Sequence, residues 1–134
     1  MRYLIIFLIL TANSYSAETT LYCKFKNGDG WQDPDRKKVI LGEGDIKDEY
    51  LKIDFDKEKI ISAPNYEGFW KTNVIFDPNI VKWNGSKKGV YSYSAELNRE
   101  TGKLWIIWNQ FKTKYTIREA WEYNYDCSKA KMKF

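Results

Sequence analysis

The stretch Tyr115-Thr116-Ile117-Arg118-Glu119-Ala120-Trp121-Glu122-Tyr123-Asn124-Tyr125-Asp126-Cys127 decides the fold. With a period of two, one face carries Tyr115, Ile117, Glu119, Trp121, Tyr123, Tyr125 and Cys127. The other carries Thr116, Arg118, Ala120, Glu122, Asn124 and Asp126. Residues 118–123 alone also suit a helix. The flanking Thr116-Ile117 and Tyr123-Tyr125 are β-branched and aromatic, and such side chains fit a pleated sheet better than a helical turn. The stretch therefore reads as the longest strand of the chain, with one apolar face interrupted at Glu119.

The same period continues outward from this strand. Residues 104–109 are apolar on both faces, Leu104, Ile106 and Trp108 against Trp105 and Ile107. Before them, Asn98-Arg99-Glu100-Thr101-Gly102-Lys103 is a hairpin turn with Gly102 suited to positive φ. Residues 89–98 place Tyr91, Tyr93, Ala95 and Leu97 on one face. A short strand over residues 80–83 is expected to end at the tight-turn dipeptide Asn84-Gly85. Residues 69–77 align Trp70, Thr72, Val74 and Phe76, then turn at Asp77-Pro78-Asn79. Residues 49–56 align Leu51, Ile53 and Phe55, with residues 58–63 as hairpin partner and residues 39–41 as a short strand. The first strand, residues 19–26, aligns Leu21, Cys23 and Phe25. It is expected to break at Asn27-Gly28-Asp29-Gly30, with a loop running on to residue 38.

Eight to nine short strands, short connections and no useful helix give an all-β class. Crossovers long enough for parallel pairing are missing, so the sheet is an antiparallel meander. At this length it is expected to close, fully or partly, into a barrel, or to form a strongly curved sheet.

Residues 1–16 read as a secretory signal peptide: Met1-Arg2, an apolar run over residues 3–10, then Ser14 and Ser16 at the small positions of a cut. The run is far shorter than the ~20 residues of a membrane span. No integral membrane segment is expected after cleavage. Residues 17–134 form one domain, periplasmic or extracellular. In an oxidising compartment, Cys23 and Cys127, on the apolar faces of the first and last strands, are expected to form a disulfide that ties those strands together.

Composition removes whole classes of chemistry. The 134 residues include no histidine, so there is no His-based triad, His-ligated zinc or imidazole switch. Serines and lysines have no recognisable activating partner. No glycine-rich phosphate loop is present. Residues 27–35 are rich in oxygen ligands but do not follow the twelve-residue calcium loop, and read as a solvated loop. Asn84-Gly85-Ser86 matches a glycosylation sequon and equally a hairpin turn. A net charge of +4 with interspersed signs makes no basic stripe, so nucleic acid is not an expected partner. The chain reads as non-catalytic, with no cofactor and no metal.

Glu119 is the position where chemistry concentrates. An inward carboxylate costs several kcal/mol unless it is paired or protonated. It reads either as a polar anchor for a ligand inside the barrel, or as a structural carboxylate paired with Lys112, Lys114 or Arg99, or turned outward by a bulge. Trp121, Tyr123, Tyr93 and Trp108 are the candidate lining residues. Each aromatic reads equally as core. Trp105 and Trp108 fall on opposite faces, so at least one points away from any interior.

Leu97-Asn98-Arg99-Glu100-Thr101-Gly102-Lys103-Leu104, the aromatic strand after it, and the ending Cys127 with Lys131-Met132-Lys133-Phe134 resemble a type of small exported bacterial β-rich protein. Those proteins have an Asn/Asp-Arg-x-Thr/Ser-Gly hairpin, one late cysteine and a basic tail ending in Phe. The resemblance covers the signal peptide and roughly the last forty residues. It implies compartment and fold type, and no activity. The chain also looks a little like the small two-cysteine lysozyme inhibitors of the periplasm, with no residues matched to their inhibitory motif.

Three functions are therefore expected in order. The first is binding of a small apolar or aromatic ligand within the sheet. The second is a protein–protein module, such as an inhibitor acting through a loop at residues 27–38. The third is a structural envelope protein.

Overall fold

The computed structural model describes residues 18–64, 71–87, 90–113 and 115–129. The expected signal peptide, Phe69, Trp70, Gly89, Lys114 and the basic tail lie outside the described residues. Nine strands follow in order: β1 (Glu18–Gln32), β2 (Val39–Leu41), β3 (Glu49–Asp54), β4 (Lys59–Ser62), β5 (Lys71–Phe76), β6 (Ile80–Lys87), β7 (Tyr91–Asn98), β8 (Lys103–Thr113) and β9 (Thr116–Lys129). The fold is all-β, and every ladder between these strands is antiparallel. The strands form one nearly closed barrel-like sheet in the order β4-β3-β1-β9-β8-β7-β6-β5, with β2 added beside β1. The unsealed seam lies between β4 and β5.

The first and last strands sit side by side, with Cys23 opposite Cys127, and the two sulfurs are bonded at 2.07 Å. A disulfide of this kind is compatible with an oxidising compartment. No helix of the described residues is long and apolar enough to cross a membrane.

Two expected breaks are strands instead. Asn27-Gly28-Asp29-Gly30 does not end β1: after a register shift between Phe25 and Asn27, the strand continues to Gln32 against β9. The glycines are needed there because a Cβ on Gly30 would come within 2.2 Å of Trp121 Cε3 and 2.5 Å of the Ala120 carbonyl oxygen. Asn84-Gly85 does not turn either. Gly85 pairs with Thr72 on one side and Tyr93 on the other, inside β6. Both dipeptide signals reflect glycine paired with a large neighbour, where turn chemistry was the other meaning of the same residue.

The interior is stacked in rows that follow from register. At one end the disulfide lies below Phe25, Tyr125, Leu104, Leu97 and Val81, neighbours across successive ladders and all buried. The next row is Gly28, Tyr123, Ile106, Ala95 and Trp83. Above it come Gly30, Trp121, Trp108, Tyr93 and Gly85, and then Gln32, Glu119, Gln110 and Tyr91 at the rim. The disulfide end is tightened by the β7–β8 hairpin. Gly102, at φ 76°, takes a conformation open to glycine, and its carbonyl accepts the Cys127 N–H at 2.8 Å. Across the seam, the Phe55 and Phe76 rings meet edge to face at 5.8 Å, and Arg99 lies 4.7 Å over Phe55.

Candidate functional site

Accessibility changes along the inner faces of β8 and β9 toward the Glu119 end. Leu104 and Ile106 are fully buried on the inner face of β8, and Trp108, next along that face, is half-buried. On β9, Tyr125 is buried while Tyr123, Trp121 and Glu119 are half-buried. Inward residues keep partial solvent contact toward this end on both strands, as Leu21, Phe76 and Cys127 do toward the other. The register therefore brings Glu119, Trp121, Tyr123 and Trp108 together at a mouth bounded by β1, β9 and β8.

Within this mouth, the Trp121 indole packs over the backbone of Gly30 in the neighbouring strand. Its Nε1–H donates to Glu119 Oε1 at 3.0 Å. Tyr123 stacks beside Trp121 with ring centroids 6.4 Å apart and planes 2° from parallel. Trp108 stands directly across the ladder from Trp121. Burial raises the Tyr123 phenol above the ordinary tyrosine pKa, and the nearby Glu119 charge adds to the rise. The phenol thus stays a neutral donor well past neutral pH.

Glu119 shares the inner face of β9 with Trp121: the ladder with β1 runs unshifted from residue 119 to 124, and the register shift against β8 falls just before it, between Ile117 and Glu119. Among the described residues its partner is neither Arg99 nor Lys112, and the third candidate, Lys114, lies outside them. Arg99 is at the other end of the barrel, donating from Nη1 to the Asp77 carbonyl at 3.1 Å. The partner is the i+2 tryptophan, and strand geometry places residues i and i+2 on one face. That signal was present in the sequence, but a carboxylate directs attention to cations.

Tyr93 is core. It is 1% exposed, and its hydroxyl donates to the Pro64 carbonyl at 2.8 Å. It forms the back wall of the Trp108 row and is not a surface of the mouth. In the row below, the buried Trp83 Nε1–H has no hydrogen-bond partner among the described residues. Sequence reasoning had no signal for it, because satisfaction depends on the packed neighbours.

The outer wall has its own features. Trp105 faces out, 36% exposed, with its Nε1–H donating to Glu122 Oε1 at 2.7 Å. A hollow of about 470 Å³ beside it is lined by Lys26, Asn27, Lys103, Asn124 and Asp126 among others, on the opposite side of the sheet from Glu119. Arg36 lies 4.8 Å over the outward Trp31 ring. Among the described residues no group of three or more Cys, Asp or Glu is placed to hold a metal ion.

Comparison with known proteins gives no relative. No protein-family model, curated protein or solved structure matches the chain. The reading of the site therefore rests on its geometry.

Proposed function

We propose that the protein is an exported, non-catalytic binding protein that takes a small apolar or aromatic ligand at the barrel mouth. The observation that carries this reading is the convergence of Glu119, Trp121, Tyr123 and Trp108, all half-buried, on neighbouring inner positions of β8 and β9. Such a site joins rigid ring surface with a single orienting polar group, as small-molecule sites do. Trp108 and Trp121 supply apolar area, and the Tyr123 phenol and Glu119 carboxylate supply direction. Export rests on the sequence pattern of residues 1–16, and the disulfide accords with it.

The test is tryptophan fluorescence against a panel of lipophilic ligands. Ligand is expected to shift or quench emission, and the change is expected to fall away in Trp108→Phe and Trp121→Phe while surviving in Trp105→Phe. A panel without response, or a response that both inner variants retain, overturns the reading.

A second reading, a protein–protein module, is favoured by β2. Residues 27–32 belong to β1, so the expected loop shortens to residues 33–38 and leads into β2. There Ile40 is 78% exposed and Val39 43%. A partner captured from periplasm or culture medium and lost with Ile40→Lys would support this reading over the first.

A further inference from the structure

We propose that the ligand of the mouth carries a positive charge: a protonated amine or quaternary ammonium on an apolar or aromatic body. This rests on the mouth reading above and names the chemical class that the same site selects.

The argument begins with what Glu119 lacks. Its only side-chain partner among the described residues is the neutral indole N–H of Trp121, on Oε1. None of the ion pairs among the described residues includes it. Oε2 accepts no hydrogen bond there. A carboxylate that is half-buried among rings and held by one neutral donor is under-compensated, because its water shell is reduced and no cation among the described residues replaces it.

The surroundings choose between ligand charges. Trp121, Tyr123 and Trp108 present π-systems, whose negative faces attract cations and disfavour anions. An anionic ligand meets both the Glu119 charge and those faces. A neutral apolar ligand covers the carboxylate and removes its remaining water without replacing it. A cation alone gains from both features, through a charge-assisted hydrogen bond or ion contact to Glu119 and cation–π contact with the rings. The Trp121–Glu119 bond also fixes the carboxylate against the ring system, so the charge is held in place before a ligand arrives.

The experiment is calorimetric titration of the intact, oxidised protein with three probes sharing one phenyl ring and a short chain: 2-phenylethylamine, 2-phenylethanol and 3-phenylpropionate. The amine is expected to bind about tenfold tighter than the alcohol, and the carboxylate weakest. Glu119→Gln is expected to bring the amine down to the level of the alcohol and to raise the carboxylate, while Glu119→Asp keeps the order. An unchanged denaturation midpoint in Glu119→Gln confirms that the variant is folded. Alcohol binding as tight as amine binding, with both lost in Trp121→Phe, overturns the cation assignment and leaves the mouth reading standing. An amine preference that survives Glu119→Gln also overturns it. Failure of all three probes to bind overturns the mouth reading itself and the charge assignment with it.

Discussion

At the scale of single residues, Gly30 and Tyr93 fix the packing behind the inner rings, Gly30 against Trp121 and Tyr93 against Pro64. Any side chain on Gly30 meets both the Trp121 ring and the Ala120 carbonyl at under 3 Å, and the carbonyl is backbone that cannot swing aside. Gly30→Ala is therefore expected to destabilise by about 1–3 kcal/mol, the range of overpacked sites, and to move the Trp121 indole N–H resonance as the ring is displaced from Glu119. Urea denaturation and a proton–nitrogen correlation spectrum read the two effects separately. Tyr93→Phe keeps the ring and removes the donor to the buried Pro64 carbonyl. An expected loss of about 1–2 kcal/mol follows from an acceptor left without its partner, measured as a shift in denaturant midpoint. Period two alone identifies the inner side of β9, Glu119 included. Solvent access is another matter, because it depends on which rows of the barrel are filled by large side chains.

Among the elements, β1 carries the most non-local information. It pairs with β3 through Cys23 opposite Glu49, and there the ladder stops. The Asp48 side chain then acts in place of a strand: Oδ1 accepts the Phe25 N–H and Oδ2 accepts the Tyr22 hydroxyl, each at 2.9 Å. The backbone bond to Phe25, followed by the Tyr22 bond, holds the Asp48 pKa below the ordinary carboxylate value. A depressed folded-state pKa gives stability that is present above the unfolded value of about 3.9 and is lost as pH falls through the folded one. Acidification from pH 5 downward is therefore expected to lower the urea midpoint, and Asp48→Asn to flatten that part of the profile. A profile unchanged by the substitution contradicts the role of Asp48. Tyr22 behaves in the opposite sense: its bond to Asp48 raises the phenol pKa, so its contribution is full below about pH 10 and is lost as pH rises through the folded value. The alternation of β1 up to Phe25 is legible from Leu21, Cys23 and Phe25. The continuation to Gln32 is not, because Gly-Asp-Gly is a turn signal until the large rings of β9 are known to lie beside it.

For the whole molecule, the two cysteines carried the most information about closure. Their places on the apolar faces of the first and last strands imply that those strands adjoin, and β1 and β9 do so along eleven paired positions. The seam falls mid-chain between β4 and β5. That was not legible, since it depends on β2 pairing locally with β1 while β3 takes the long edge of that strand. Closing a loop with a sequence separation of 104 restricts the unfolded chain strongly. Reduction, or the Cys23→Ser/Cys127→Ser pair, is expected to cost about 4–5 kcal/mol, read as a lower denaturant midpoint with and without dithiothreitol. The disulfide also ties β1 and β9 together at the end of the barrel away from Glu119.

The measurement that bears most directly on the central claim is a titration followed through the indole N–H resonances of the six tryptophans. With 2-phenylethylamine added to the oxidised protein, the resonances of Trp121 and Trp108 are predicted to shift together and saturably, and those of the outward Trp31 and Trp105 to stay in place. Movement confined to Trp31 or Trp105 would put the binding surface on the outer wall and contradict the account.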